Sequence, residues 1–127
     1  MTPCYCKSGL LFSACCEPFI TGAAVAATAE QLMRSRYSAF GLCDEDYLKQ
    51  TWHSSTRPTH LGFEPQQNWL GLKIIATHKG GAQDETGQVE FVARYKVHGR
   101  AYRLHENSEF VLDQGRWYYV HGELFDQ

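Results

Sequence analysis

Four cysteines fall within the first sixteen residues, as Cys4-Tyr5-Cys6 and Cys15-Cys16. The thiolate is a soft anionic ligand and Zn²⁺ takes four of them tetrahedrally. A C-x-C followed about nine residues later by a cysteine pair can therefore close one complete S₄ shell. A segment this short cannot bury a core of its own, so a bound ion is what would hold it in one shape. With all four ligands supplied by the chain, no coordination position stays open for water, which favours scaffolding over hydrolysis. Iron can replace zinc in such a site. Clustered cysteines in secreted chains usually form disulfides, and single ones are often small core hydrophobes. Met1-Thr2-Pro3 opens without a basic stretch and apolar core of the signal-peptide kind, so a cytoplasmic chain with reduced thiols is expected. A total of five also leaves Cys43 unpaired. A redox thiol pair is the second reading, inert thiols the third.

The 127 residues suffice for one compact core, and no apolar run approaches the length needed to span a bilayer. Formal charge is -2, which four thiolates around zinc would make more negative, whereas a general phosphate-binding surface needs a basic stripe. Nucleic acid is a poor first partner. Arg34 with Arg36, and Arg94-Tyr95-Lys96 near Arg100 and Arg103, keep ribosomal or RNA contact as a weaker reading.

Beyond the cysteines, residues 17–28 are rich in alanine and glycine and read as a connector ending at a helix start. Thr28 is the cap and Gln31, three residues on, completes a capping box. A helix over Ala29–Leu42 follows, then a second over Asp44–Trp52 with Asp44 as its cap. Residues 54–67 are polar, carry two prolines and read as a loop. Alternation then predicts strands Trp69–Thr77, Val89–His98, Ala101–Leu112 and Arg116–His121, with turns at Gly80-Gly81, His98-Gly99 and Asp113-Gln114-Gly115. Helices first and an antiparallel meander second is the α+β pattern, with helices on one face of a curved sheet.

One charge breaks the pattern. At 100° per residue Leu32, Met33, Tyr37, Ala39, Phe40 and Cys43 form an apolar arc, and Arg36 falls inside it instead of with Arg34, Ser35 and Ser38. Cys43 is accordingly expected in the core. A buried guanidinium needs a partner, and Glu106 sits equally out of place among apolar residues on the third strand. The two are predicted to meet inside the fold, either as a structural ion pair or as the polar end of a cavity. Tyr95, Trp117 and Tyr119 alternate onto its possible wall, with Trp52 and His53 at its mouth. In a reaction Glu106 would be the base, Arg36 the anion clamp and His53 a proton shuttle; an arginine pair would lower the basicity of the glutamate, which counts against that reading. No nucleophile elbow, phosphate loop, dinucleotide glycine pattern or H-E-x-x-H motif is present.

The run Cys4-Tyr5-Cys6-Lys7-Ser8-Gly9 through Cys15-Cys16 resembles the SEC-C motif, named from the tail of a bacterial preprotein translocase ATPase. Lys7 stands where that motif has its first glycine; if the position is left-handed, lysine there costs about 1–2 kcal/mol. Leu32 to Phe40, Tyr47-Leu48, Thr51-Trp52-His53, Trp69 to Leu72, Phe91 to Arg94 and Trp117-Tyr118-Tyr119 resemble, in order, the YchJ-like family of bacterial proteins. That likeness implies a zinc knuckle and connector over residues 1–27 and a nuclear transport factor 2-like domain, a cone-like curved antiparallel sheet packed by helices, over 28–127. It implies one structural Zn²⁺ on Cys4, Cys6, Cys15 and Cys16, and does not say what the chain does. The reading preferred here is a non-catalytic adaptor that docks a protein partner through the knuckle. The alternative is a small-molecule binder or enzyme using the cavity around Arg36 and Glu106.

Overall fold

The computed structural model describes residues 2–63 and 67–125, so part of the expected loop, residues 64–66, lies outside the described residues. A 3-10 turn, Phe12–Ala14, leads into a single helical turn α1, Glu17–Ile20. The expected connector thus begins as helix, because Pro18 occupies the first turn, where its missing N–H costs nothing, and Phe19 and Ile20 have a cluster to pack on. Helix α2 spans Ala29–Leu42, as the periodicity predicts. Thr28 Oγ1 accepts the Gln31 N–H at 3.1 Å, while the Gln31 side chain reaches one residue past the cap to accept from Ala27 N–H at 2.7 Å. Cys43 caps the other end in a left-handed conformation, φ 56°, and is exposed, contrary to its expected core role. The helix has ended by that residue, so the 100° spacing no longer says where its side chain points.

Helix α3, Glu45–Gln50, is capped by Asp44, whose Oδ1 accepts from Tyr47 N–H at 3.1 Å. It stops two residues before the expected end because the next residues run beside the last strand: Tyr119 N–H donates to Thr51 O at 2.8 Å and His53 N–H to Tyr119 O at 2.7 Å. Strands β1 (Gln67–Lys79), β2 (Thr86–Val97), β3 (Arg100–Asp113) and β4 (Arg116–Leu124) form one antiparallel meander in the order β1-β2-β3-β4. The two tight turns fall where expected. His98 and Gly99, then Gln114 and Gly115, all have positive φ, the two-residue geometry that matches strand twist. Register shifts at Trp69/Gly71 and Ile74/Ala76 in β1, and beside Phe110 in the β3–β4 pair, bend the sheet.

Leu32, Met33 and Tyr37 of α2 pack on Val89, Phe91, Ala93, Phe110 and Trp117 of the sheet. The opposite side of α2 is also covered: Ser35 and Ser38 are fully buried, although the periodicity assigns them to the polar side. Ser35 Oγ bonds Leu32 O at 2.8 Å and Tyr47 Oη at 2.6 Å, which is how a polar face survives burial under α3. The carbonyl of Gly80 accepts from Ala29 N–H at 2.9 Å and seats the start of α2 on the β1–β2 turn. No helix among the described residues is long and apolar enough to cross a membrane.

Arg36 is buried at 5% exposure, and its partner is not Glu106. Nη1 donates to Leu48 O at 2.8 Å and to Thr51 Oγ1 at 2.7 Å, with the guanidinium 5.0 Å from the Trp52 ring and 4.6 Å from that of Tyr119. The last carbonyls of a helix lack donors of their own and carry its negative dipole end, so the end of α3 supplies the acceptor the guanidinium needs. Glu106 instead accepts from Ser108 Oγ at 2.6 Å. Burial pulls the Arg36 guanidinium down to about 10, which still leaves it charged at neutral pH.

Two measurements check these contacts. A Cβ at Gly87 would lie 2.5 Å from the Gly80 backbone, so Gly87→Ala should cost about 1–3 kcal/mol in urea unfolding. Thr28→Ala should cost about 1 kcal/mol, and a Gly87→Ala loss no larger than the capping loss would contradict the close approach. Thr51→Val should cost about 1.5–3 kcal/mol because it removes a hydrogen bond to a charged group. In an Arg36→Met background the same change should cost far less; equal costs in both backgrounds would mean the guanidinium does not hold α3.

Candidate metal centre and interior cavity

The knuckle is closed by its own backbone before any ion is considered. Cys4 N–H donates to Leu10 O and Phe12 N–H to Thr2 O, both at 2.8 Å, and Lys7 N–H donates to Cys4 O at 3.2 Å. The turn between places Lys7 at φ 64° and Gly9 at φ 91°. Lysine therefore occupies the left-handed position that the motif gives to glycine, and the turn keeps its geometry at that conformational cost. Cys15 and Cys16 return at the start of α1.

All four sulfurs lie within 4.8 Å of one another. Cys6 Sγ is 3.6 Å from Cys15 Sγ, which is 3.9 Å from Cys16 Sγ. A tetrahedron of sulfurs about 2.3 Å from a central zinc has edges of about 3.8 Å, whereas a disulfide needs about 2.05 Å. The cluster has the spacing of a metal shell. Cys4, Cys6 and Cys16 are buried, and polar neighbours face the sulfurs. Ser8 Oγ is 3.2 Å from Cys15 Sγ, Ser38 Oγ 3.8 Å from Cys4 Sγ, and Arg34 Nη1 3.8 Å from Cys6 Sγ and 3.3 Å from Cys6 O. Hydrogen bonds from the neighbouring thiols, Cys16 first, pull Cys6 down to about 4. Burial pushes Cys15 up to about 11, and the bond to Cys6 pushes Cys16 upward. Four thiolates side by side would repel one another, so a cation among them is what such a cluster calls for. The donor set fits a divalent soft-ligand metal.

The second feature is a cavity of about 280 Å³ between α2 and the sheet. Its wall is largely Met33, Phe40, Trp69, Phe91, Leu104 and Phe110, and its polar groups come from Arg36, Tyr37, Trp52, Glu106, Ser108 and Tyr119. The Glu106 side chain lies over Gly122, where a Cβ would collide with the carboxylate. Tyr37 and Trp52 matter most: the buried Tyr37 O–H and Trp52 Nε1–H find no acceptor among the described residues. Burial, ahead of nearby charge, raises both Tyr37 and Tyr119 to about 12, so each phenol keeps its proton.

Among the residues named from sequence, Arg36, Trp52, Glu106 and Tyr119 share this cavity. His53, Tyr95 and Trp117 do not line it. His53 faces outward, with Nδ1 2.7 Å from Ser55 Oγ and Nε2 3.0 Å from Asp113 Oδ2. Tyr95 stacks on Tyr102 and packs at a tilt against Trp69 at the far end of the sheet, at centroid distances of 5.3 and 5.2 Å. Trp117 shares a face with Tyr119 but lies nearer the β3–β4 turn, where its Nε1 donates to Ala27 O at 3.2 Å. Tyr37 and Ser108 are the polar lining residues that pattern reading passes over, beside the apolar wall. Both stand on faces already recognised as inward, and neither has a type that announces more than packing.

Residues 28–122 match the family model described as the YchJ middle NTF2-like domain. A UPF0225 protein of Ralstonia nicotianae is 54% identical, the alignment covering 95% of this chain and 90% of that one. Another, from Streptomyces coelicolor, is 45% identical over 98% and 97% of the two chains. The solution structure of a SEC-C motif containing protein from Rhodopseudomonas palustris superposes with a TM-score of 0.84 at 33% identity, covering 99% of this chain and all of that one. The crystal structure of a SEC-C motif containing protein from Psychrobacter arcticus gives 0.77 at 27% identity, over 100% of this chain and 84% of that one. The likeness extends over the cysteine knuckle as well as the sheet, and the chain belongs to the YchJ-like, UPF0225 family.

Proposed function

We propose that the knuckle is a closed structural zinc site that docks a protein partner, with no catalytic role. The sulfur spacing, the tetrahedral edge that zinc requires, carries the reading. Arg34 offsets part of the charge of four thiolates, and Ser8 and Ser38 can donate to sulfur, the kind of outer contact that holds ligands in place. The surface so ordered is apolar where water would favour polar side chains. Leu10 is 55% exposed, Leu11 38% and Tyr5 37%, all within one small loop, with Tyr5 braced edge-on against Phe12 at 5.2 Å. A rigid apolar tip of this kind suits docking because little conformational freedom is lost when a partner covers it. The tail motif of the translocase ATPase supplies an analogy for docking, and no more.

Elemental analysis of protein purified without added metal should find one zinc per chain, released on thiol alkylation and absent from a Cys15→Ser, Cys16→Ser variant. Metal-free protein with an unchanged fold would overturn the zinc assignment. The docking role is checked by affinity capture with wild type against Leu10→Asp, Leu11→Asp, a variant that should retain its zinc. Partners lost from the variant support docking; identical partner sets would overturn it.

A further inference from the structure

We infer that the interior cavity binds a small apolar α-amino or α-hydroxy acid. Its carboxylate would meet Arg36, Tyr37 and Trp52, and its α-substituent would donate to Glu106. This stands independently of the zinc knuckle.

The unspent hydrogen-bonding capacity of the cavity defines the ligand. Buried donors are almost always paired, because leaving one dry costs its full desolvation. Here two residues that line the cavity, Tyr37 and Trp52, each bury a donor, Oη and Nε1, that finds no acceptor among the described residues. Tyr37 is only 4% exposed, and although the Gly71 backbone N–H faces its oxygen, the phenol O–H still has nowhere to donate. Arg36 adds a third source. Its Nη1 is committed to Leu48 O and Thr51 Oγ1, while Nε and Nη2 have no hydrogen-bond partner among the described residues. That pair of nitrogens is the edge of a guanidinium that grips a carboxylate two-pronged. Pinned at Nη1 and packed against the rings of Trp52 and Tyr119, which meet each other edge-on, the guanidinium is already oriented, so little order is lost on binding.

The remaining polar group is of the opposite kind. Glu106 receives one hydrogen bond, from Ser108, and presents an acceptor to the cavity. A simple carboxylic acid would satisfy the donors and leave Glu106 facing a second negative charge. An amine would satisfy Glu106 and leave the donors dry. A molecule carrying a carboxylate and an adjacent ammonium or hydroxyl answers both, and its side chain takes the aromatic remainder. Water at about 30 Å³ a molecule could fill the polar end, but walls of Phe40, Trp69, Phe91 and Phe110 offer it no hydrogen bonds. A volume of about 280 Å³ suits a leucine- or phenylalanine-sized ligand.

The test uses the full chain, ¹⁵N-labelled, with the Trp52 indole signal identified from Trp52→Phe. Phenylalanine, leucine, 3-phenyllactate, 3-phenylpropionate and phenethylamine are titrated to about 10 mM, the concentration range of weak binding. The amino and hydroxy acids should move the Trp52 N–H signal and saturate; phenylpropionate and phenethylamine should bind at least about tenfold more weakly. Tyr37→Phe should leave Tm near that of the wild type, since the phenol O–H has no acceptor among the described residues, and should weaken phenylalanine binding at least about tenfold. Glu106→Gln should erase the preference for phenylalanine over phenylpropionate. Absence of any saturable shift with the amino and hydroxy acids would overturn the proposal and leave the cavity to water. So would a Tyr37→Phe protein with lowered Tm and unchanged binding.

Discussion

A guanidinium taken out of water must be answered on every side, and the way Arg36 is answered arranges much of this molecule. One nitrogen ties α2 to the last turn of α3 through Leu48 and Thr51. The residues immediately after that turn then lie along β4 at Tyr119, so the same contact that joins two helices also joins them to the sheet. The ring faces of Trp52 and Tyr119 close over the cation from these two elements. Arg36 also lines the cavity.

Five successive residues of α2 divide the work between the two candidate sites. Arg34 reaches Cys6, Ser35 bonds Tyr47, Arg36 meets α3, Tyr37 enters the cavity and Ser38 stands beside Cys4. Helical geometry sends adjacent side chains in different directions. A single turn and a half of helix therefore touches the cysteine cluster, α3 and the interior hollow at once. Knuckle and cavity are built on the same rigid element, on opposite sides of it.

Much of this was legible in residue order alone. Thr28 and Asp44 announce their helix starts because a capping side chain is a local device, and the hairpins at His98-Gly99 and Gln114-Gly115 are equally local. The cysteine spacing identified the sulfur cluster because metal ligation leaves a signature in residue type. Arg36 was recognisable as anomalous, but not its partner. The acceptor that matters is a backbone carbonyl, which every residue carries and no residue type reveals. For the same reason the buried Ser35 and Ser38 read as solvent-facing: their cover comes from α3 and from a knuckle that helical periodicity does not register. Cavity membership was half legible, since alternation fixes which face a strand residue takes but not how far along the strand the hollow extends, and Trp117 and Tyr95 fell beyond its two ends.

The irregularities in β1 have an effect beyond bending the sheet. This strand lies at the border of the meander, where unpaired amides and carbonyls would otherwise invite another chain to zip alongside. Extra residues at two points along it throw the row of polar groups out of step, so a flat, regular strand finds no continuous template there. The curvature that encloses the hollow thus also protects the margin of the sheet from adventitious strand addition.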